Sequence, residues 1–390
     1  HLCMLGIIMW NDTTTRRKLL RTTGGIATIG ASGFAGCVGG EDEPTSDDGE
    51  TDDEDSDGND VVSIAYAGSD QTSAAFQAAI PMGEQIRRHA EMDIEIDAQT
   101  TGGLDANVRG VGAGDFDMGA TTSPNFQAAA AGAHPFDEEY DLNILFTNMV
   151  YPFPIALTQT GRGVDYIEDL EERTISTGRP GSAAHTYFEI YCQVNGIDLE
   201  SMDIERVGGD DAFRQLNSGR LDAILTGSVN TVLGPSTQQW LQRTDEAKLV
   251  VPVDSERTER LSHAGEYLDV LPYDRGGIMF DFPLETFQHA HENSALADED
   301  SYTTVAGTNT NFATTDMSDE VAYEITRVTL EQREELAEAT AMWAGFAEDP
   351  NFYATAITPE DTQGAPILPG AKEAMEEFDV WDDDLTVAQR

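Results

Sequence analysis

The chain has 390 residues, more than one compact core usually fills, so two domains or one domain with appendages are expected. Acidic residues number 72 against 22 basic ones, a formal net charge of −50, which argues against nucleic acid or anionic headgroups as partners because polyanion binding needs clustered Lys and Arg. Hydrophobic residues make up 39% of the chain, enough for a packed core, and no long apolar run predicts a membrane-spanning helix.

The basic residues indicate adaptation to high salt. Only Lys18, Lys248 and Lys372 are lysines, and the other basic residues are arginines. At about 1 M salt the Debye length is about 3 Å, so the repulsion within a strongly acidic surface is screened and that surface stays hydrated. An ordinary acidic protein is the alternative.

The first 37 residues have the layout of an export signal. Thr15 to Leu20 is a twin-arginine pattern, the stretch 24–34 is modestly apolar, and Cys37 follows small residues as in a lipobox. We expect export by the twin-arginine route and a lipid on Cys37, with the residues before Met9 lying upstream of the true start. The alternative is a chance arginine pair ahead of a buried helix.

Residues 38–60 are predicted to be a disordered tether. Twelve of the 20 residues from 41 to 60 are Asp or Glu. Such a segment buries nothing and repels itself, so it stays extended. With a lipid on Cys37, it would hold the folded body outside the cell at the membrane surface.

The body then alternates strand and helix. Strands are predicted at 61–66, 94–98, 117–120, 142–146 and 154–158, with helices at about 73–90, at 104–112 and from Pro124. A second set has a short helix at 167–170, strands at 173–177, 204–207, 221–225 and 249–253, and helices from Ser182 to about Asn195 and at 211–218. A strand at 302–306 and a long amphipathic helix at 319–346 follow. This alternation predicts an α/β fold with mostly parallel sheets.

The pattern predicts two lobes. We assign 61–157 to lobe 1, 158–300 to lobe 2 and 301–390 to a segment that returns to lobe 1. Residues 254–300 have no clear assignment. The one cysteine of the body, Cys192, lies in an apolar helical pattern that predicts a buried structural thiol rather than a nucleophile.

Loops rich in Gly, Ser and Thr end four of the strands. The carboxyl ends of parallel strands converge on one crevice, where helix N-termini present free N–H groups that hold an anion. Hydroxyl groups of seven residues would add donors: Ser69, Thr72, Thr101, Thr121, Thr122, Ser123 and Ser182. Since Ser and Thr cap helices everywhere, each loop by itself has a purely structural interpretation.

Five short segments occur in the order of a known receptor family. They are 101–107 (TGGLDAN), 114–120 (GDFDMGA), 178–182 (GRPGS), 219–223 (GRLDA) and 367–371 (ILPGA). In this order the chain resembles the TAXI-type solute receptors of TRAP transporters over about Val61 to Ala371, and its composition makes it haloarchaeal-like.

The resemblance implies a periplasmic-binding-protein-like (type II) fold, in which two hinged lobes close on a small organic acid or amino acid. It implies a dicarboxylate or glutamate-like ligand, delivery to a sodium-coupled TRAP permease, no chemistry on the ligand, and no cofactor or metal. Together with Arg179, whose planar fork matches two carboxylate oxygens, it places ligand contacts at Ser69, Thr72, Thr101, Gly102, Thr122, Ser123, Pro180, Gly181, Ser182 and Ala183. A monomer is expected because docking needs free lobe faces.

Two departures from the family bear on the ligand. The first loop reads Asp70-Gln71-Thr72-Ser73 where the family has a Gly pair followed by Thr-Tyr, and Ala183-Ala184 follows Ser182 where the family has Gly-Thr. These changes affect the identity of the ligand more than the position of the cleft. A solvated arginine beside the cleft is the alternative for Arg179.

Other function classes have weaker support. Ser182 and His185 are spaced for a helix face but lack a G-x-S-x-G elbow, so a hydrolase is disfavoured. His289 and His291 lack a nearby third ligand for a metal. Nucleotide-binding and EF-hand calcium motifs are absent from the sequence. A receptor for an ABC importer, or a ligand-sensing module of the same fold, remains the main alternative.

Overall fold

The computed structural model describes residues 61–389 apart from 72, 134, 154, 181, 263–277 and 357–365. The predicted signal, Cys37 and the acidic tether lie outside the described residues, as do Thr72 and Gly181, so these assignments stay predictions. None of the helices in the described ranges combines the length and the apolar content that a membrane crossing needs.

Thirteen strands are found in the described residues. They are β1 Val62–Ala67, β2 Ile94–Gln99, β3 Met118–Thr122, β4 Leu142–Phe153, β5 Ala156–Gln159, β6 Thr174–Ser176, β7 Asp203–Glu205, β8 Ala223–Leu225, β9 Ser228–Val229, β10 Val232–Leu233, β11 Ala247–Val250, β12 Ile278–Pro283 and β13 Ser301–Thr314.

The described helices lie between these strands and, for the last five, after β13. They are α1 Ala74–His89, α2 Leu104–Gly112, α3 Ser123–Ala130, α4 Ala183–Asn195, α5 Asp210–Asn217, α6 Pro235–Leu241, α7 Ser255–Ser262, α8 His289–Glu292, α9 Asp319–Glu331, α10 Arg333–Ala339, α11 Ala344–Glu348, α12 Pro350–Ala354 and α13 Pro369–Glu377. Short 3₁₀ turns lie at Ile167–Leu170, Leu199–Ser201, Leu284–Phe287 and Ala341–Trp343.

Eleven of these strands form two large sheets, one for each lobe, and β9 and β10 form a separate two-stranded sheet. In the first sheet β2, β1 and β3 are parallel, and β13 pairs antiparallel with β3, β4 and β12. In the second sheet β7, β6 and β8 are parallel, and β5 and β11 continue it antiparallel. The predicted two-lobed α/β fold is confirmed, but the sheets are mixed rather than mostly parallel. The long strand β13 runs antiparallel to β3 in the first sheet, and the short strand β5 runs antiparallel to β8 in the second.

Strands β4 and β13 are much longer than the sequence pattern suggested. The predicted strands 142–146 and 302–306 are the ends of a twelve-residue and a fourteen-residue strand. The pairing runs from Val305 opposite Phe153 to Thr314 opposite Leu142, with two register shifts. Polar residues inside both strands, and Pro152 in β4, obscure the strand pattern in the sequence. The hydrogen bonds of these strands depend on a distant partner rather than on local pattern.

The predicted long helix at 319–346 is broken. α9 ends at Glu331, α10 covers 333–339, and Thr340 is extended with φ −158° and ψ 139°. The Thr340 hydroxyl accepts a hydrogen bond from the Met342 N–H and starts a new turn. This break brings Trp343 into the first core, where its indole donates to the Ala78 carbonyl.

Three hydrophobic clusters fill the two lobes. The first surrounds the first sheet, and its largest buried side chains include Trp343, Phe146 and Phe346. The other two lie on the second sheet; one contains Cys192, which is free and buried, so the predicted structural thiol is confirmed. Burial, followed by nearby glutamates, raises the pKa of this thiol.

The boundary between the lobes is not a single point in the chain. β12 pairs with β13 in the first sheet, although it precedes residue 300. Phe282 of β12 packs in a cluster with Leu157 and Leu249 of the second sheet. The proposed divisions at 157 and 300 therefore stay a proposal, with β12 and the start of β13 shared by both lobes.

Replacing Gly370 should destabilise the first lobe. A Cβ at this position would overlap the Asp319 carbonyl oxygen and lie 2.9 Å from the Tyr323 nitrogen, so α13 and α9 would have to separate. We expect Gly370→Ala to lower the free energy of unfolding by about 1–3 kcal/mol. Gly227→Ala is the matched control, because nothing lies within 4 Å of a Cβ there. Denaturant unfolding measures both variants, and equal midpoints would contradict the close helix approach.

Candidate functional site

The loops that follow β1, β2 and β3 are tied to one another. The Thr101 N–H donates to the Ser69 carbonyl at 3.0 Å, and the Thr101 hydroxyl donates to Asn107 Oδ1. Asn107 Nδ2 in turn donates to the Ala120 carbonyl at 2.7 Å. The three strand ends therefore form one edge of the first lobe, which is the arrangement that the parallel order of β2, β1 and β3 predicts.

Ser69 holds an unfavourable backbone conformation at this edge. Its φ is +70°, in the left-handed region, and the residue is buried. That region costs an L-residue about 1–2 kcal/mol. Its carbonyl is fixed by Thr101, and the next turn is fixed by the Ser73 hydroxyl, which donates to the Gly68 carbonyl. Strained residues of this kind concentrate at binding sites.

The end of β3 carries two buried hydroxyl groups without a partner. Thr121 and Thr122 are 0% and 1% exposed, and neither Oγ1 atom has a hydrogen-bond partner in the described part of the chain. Ser123 differs, because its Oγ accepts a hydrogen bond from the Thr308 N–H at 3.1 Å. Buried hydroxyls are nearly always satisfied in folded proteins. Because neighbouring residues of a strand point to opposite faces, one ligand group could satisfy only one of these two hydroxyls.

Four helices at these edges begin without a side-chain cap. α1 is capped in the ordinary way, since Ser73 Oγ accepts from the Phe76 N–H. The N-cap residues of α2 and α5 are glycines, Gly103 and Gly209, which have no side chain, and Thr122 and Ser182 before α3 and α4 form no side-chain cap hydrogen bond. Their first N–H groups keep donor capacity and a partial positive charge, which suits an anionic group.

The second lobe has a corresponding edge. Ser176 Oγ donates to the Val207 carbonyl at 2.5 Å, and the Arg206 guanidinium donates to the Gly178 and Arg179 carbonyls. A Cβ on Gly209 would lie 3.7 Å from Arg179 Nη2, so the Arg179 guanidinium lies beside the first turn of α5. Arg179 is itself exposed, which leaves its charge available at this edge.

The two edges meet at the start of α4. The Tyr187 ring stacks on Phe153 of β4, with ring centroids 4.2 Å apart. A Cβ on Gly307 would overlap the Tyr187 hydroxyl and lie 3.6 Å from Pro124 Cδ. Glycine at 307 thus lets α4 of the second lobe approach β13 and the start of α3. The uncapped ends of α3 and α4 therefore lie on the two sides of one junction.

A chain of polar side chains lies on β4 and β13, called the hinge strands below, and includes Tyr66 of β1 beside this junction. Tyr66 donates to Asn311 Oδ1 and Tyr151 donates to Asn309 Oδ1, at 3.1 and 3.0 Å. Asn309 and Asn311 both donate to Asn148 Oδ1. Burial raises the pKa of Tyr66 and Tyr151, so both phenols are protonated donors at neutral pH.

This polar chain and some residues of the two edges were not predicted from the sequence. The Thr308-Asn309-Thr310-Asn311 alternation is the signal that would have revealed it, because four polar residues inside a strand are unusual unless they are paired. Thr121 was named as a hydroxyl donor but not as a ligand contact. Tyr151, Tyr187 and Gly209 carry no local signal.

The predicted contacts fall into two groups. Ser69, Thr101, Gly102, Thr122 and Ser123 lie at the first-lobe edge. Arg179, Pro180, Ser182 and Ala183 lie at the second-lobe edge. The structure brings each group together, and the part that each residue plays in ligand binding stays a prediction.

The three histidines considered in the sequence, His185, His289 and His291, have structural surroundings. His185 Nδ1 hydrogen-bonds the Thr177 hydroxyl at 3.0 Å and Nε2 faces Glu189, so its ring is not paired with Ser182. His289 and His291 lie on the short helix α8 rather than on a strand, and each Nε2 bonds a backbone carbonyl. These contacts explain the histidines as structural residues.

We expect His185 to be neutral at pH 7. Burial, with a smaller contribution from the Arg206 charge, lowers its pKa below the ordinary 6.5, although Glu189 opposes the shift. The unfolded chain then binds more protons than the folded chain, so this residue's contribution to stability is complete above about pH 6.5 and is lost as the pH falls through the folded pKa.

NMR titration of the imidazole measures this pKa directly, with His185→Gln to assign the resonance. The stability difference between the wild-type protein and His185→Gln should also shrink from pH 7.5 to pH 5. A folded pKa above 6.5 would show that the attraction of Glu189 exceeds the effect of burial.

Comparison with known proteins places this chain in a family. The NMT1-like family matches residues 68–272, just over half of the chain. No curated protein matches the sequence significantly.

Similar solved structures include the periplasmic aliphatic sulphonate binding protein of Escherichia coli (15% identity, 74% of this chain and 82% of that chain, TM-score 0.39). A putative L-cystine ABC transporter of Listeria monocytogenes (12%, 76% and 99%, 0.40) and a chloride-bound protein of Xanthomonas citri (9%, 73% and 88%, 0.44) are also similar. At such scores these likenesses say nothing about the ligand. The family match spans both edges of the candidate site, and the chain belongs to the NMT1-like family.

Proposed function

We propose that this protein is an extracytoplasmic solute receptor that captures a small organic acid or amino acid between its lobes. The observation that carries the proposal is the junction itself. Uncapped starts of α3 and α4 lie on its two sides. The unpartnered hydroxyl of Thr122, the residue before α3, belongs to the first-lobe side, and the Arg179 guanidinium belongs to the second-lobe side.

The large negative charge does not prevent an anion from binding there. In molar salt the field of −50 charges is screened beyond a few ångströms, with a Debye length of about 3 Å. Amide N–H groups and a guanidinium act at contact distance, where intervening salt is excluded. Local donors at the junction therefore determine affinity for a carboxylate, and closure of the lobes adds selectivity.

Binding without chemistry agrees with the surroundings of the candidate nucleophile. The two ring nitrogens of His185 contact Thr177 and Glu189. Among the described contacts, His185 is therefore not placed as a general base for Ser182. The ordered motifs favour delivery to a sodium-coupled TRAP permease. An ABC importer is the second candidate partner for the same fold, and uptake driven by a sodium gradient rather than by ATP separates the two.

Arg179→Gln should weaken carboxylate binding by roughly ten- to hundredfold, because a hydrogen bond to a charged group contributes about 1.5–3 kcal/mol. Thr122→Val, which removes only a hydroxyl, should cost roughly fivefold, or about 1 kcal/mol. A thermal-shift screen of dicarboxylates and amino acids in molar KCl, followed by calorimetric titration, measures both effects.

The matched control is Arg87→Gln, which removes an exposed arginine in the last turn of α1. It should bind as the wild-type protein does. The receptor function would be wrong if none of the acids raised the melting temperature while an esterase or peptidase assay gave turnover. Equal affinities of Arg179→Gln and Arg87→Gln would remove Arg179 from the site.

We further propose that Cys37 anchors the chain by a lipid after twin-arginine export, with residues 38–60 as the spacer. Cys37→Ser should move the exported protein from the membrane fraction to the medium, since the anchoring chain is lost. Arg16→Lys together with Arg17→Lys should instead keep it inside the cell. Fractionation with an antibody to the body measures both, and membrane retention of Cys37→Ser would contradict the anchor.

A further inference from the structure

A small hairpin of the second lobe reaches the first lobe. β9 and β10 pair across a two-residue turn at Asn230-Thr231, directly after β8 of the second sheet; residues 228–233 are called the tie hairpin below. Val229 packs against the core cluster of the first lobe, whereas Leu233 is buried in a cluster of the second lobe. The tie hairpin therefore contacts both hydrophobic cores. It is a connection between the lobes besides the one that the hinge strands make.

Asn230, at the tip, makes three hydrogen bonds to the first lobe. Its N–H donates to the Val150 carbonyl at 2.8 Å, and its Oδ1 accepts from the Val150 N–H at 3.0 Å. Its Nδ2 donates to the Met342 carbonyl at 3.4 Å. Val150 lies on β4 opposite Thr308, and Met342 lies in the turn packed on the first core, so both partners belong to the first lobe.

The backbone of Asn230 suits this role. Its φ is +53°, in the left-handed region, and the residue is only 5% exposed. Asparagine tolerates that region better than most residues. The Ser228 hydroxyl donates to the Asn230 carbonyl and closes the tip from the second-lobe side. The strained turn is thus held by partners on both lobes.

We propose that the tie hairpin sets the angle between the lobes and that Asn230 is the positioning residue that attaches it. Val150 lies three residues before the end of β4, where the chain passes into β5 of the second sheet. Rotation about this crossing that moves β8 away from β4 breaks all three Asn230 bonds. The tie therefore favours the lobe arrangement seen in this structure before any ligand arrives.

The consequence for binding rests on the proposed receptor function. When only part of the population is in the competent arrangement, the observed Kd rises by the inverse of that fraction. Loosening the tie should weaken a ligand that contacts both edges without removing a single ligand contact. We expect Asn230→Gly to raise Kd about tenfold.

The lobe angle can be measured without ligand. Nitroxide labels on Gln77→Cys of α1 and Gln239→Cys of α6, two exposed positions on opposite lobes, report the opening by pulsed EPR. Cys3 and Cys37 are replaced by Ser, and Cys192 is buried with a raised pKa, which keeps its thiol unreactive. Asn230→Gly keeps the left-handed turn and removes the amide, so the distance distribution should move to longer values.

Two further variants distinguish an effect of Asn230 on the lobe angle from a general loss of stability. Asn230→Asp keeps the acceptor for Val150 and should open the lobes less than Asn230→Gly. Thr231→Ala changes the exposed neighbour in the turn and should leave the distances unchanged. The inference is overturned if Asn230→Gly has the wild-type distance distribution, or if Thr231→Ala opens the lobes equally.

Titration with L-glutamate and with succinate then tests the effect on affinity. A tenfold rise in Kd for Asn230→Gly, with the wild-type melting temperature of the ligand-free protein nearly kept, supports the tie. If neither compound binds the wild-type protein, the proposed ligand class fails, while the EPR distances still decide the role of Asn230. Longer distances with an unchanged Kd would overturn the part of the inference that concerns binding.

Discussion

The antiparallel pairing of β4 with β13 is the constraint on which the two-lobed arrangement depends. The pairing joins residues separated by 152 (Val305 and Phe153) to 172 (Thr314 and Leu142) positions, and both strands continue toward the second lobe. Two register shifts interrupt the ladder, and such irregularities bend a strand and redirect its side chains. One shift lies at Asn309, between Thr308 and Thr310, where the buried Asn–Tyr chain crosses from one strand to the other.

That chain of buried polar side chains specifies how the hinge strands pair, which apolar packing alone would not do. Each amide in it is useful only while the others stay in place, because a buried amide without a partner costs about 1–3 kcal/mol. These hydrogen bonds therefore favour one register of β13 against β4 and β3. This in turn fixes Gly307 under Tyr187, and with it the approach of α4 to α3. The position of the candidate site thus follows from the register of the hinge strands.

The helix starts at the edges of the lobes, by contrast, mostly lack stabilising side-chain caps. α1 has its own serine cap, whereas α2 to α5 leave their first N–H groups without one. A side-chain cap typically stabilises a helix by about 1 kcal/mol, and the starts of α2 to α5 lack this stabilisation. Unused donors at a junction between two lobes are what a receptor needs, because a closing ligand can then stabilise both halves at once.

The sequence by itself determined the two-lobed α/β fold, the order of most elements up to β8, the buried thiol at Cys192 and most loops of the candidate site. These depend on local signals: apolar periodicity, Gly and Ser at strand ends, and Pro124 at a helix start.

Only the tertiary structure decided the length of β4 and β13, the breaks after α9, the polar chain and the reach of Asn230. Each of these depends on a hydrogen-bond partner far away in the chain, such as Val150 for Asn230 or Asn148 for Asn311, 80 and 163 residues apart. A local pattern carries no information about such partners, since the same side chains are equally compatible with solvent-exposed loops until the fold brings their partners within hydrogen-bond distance.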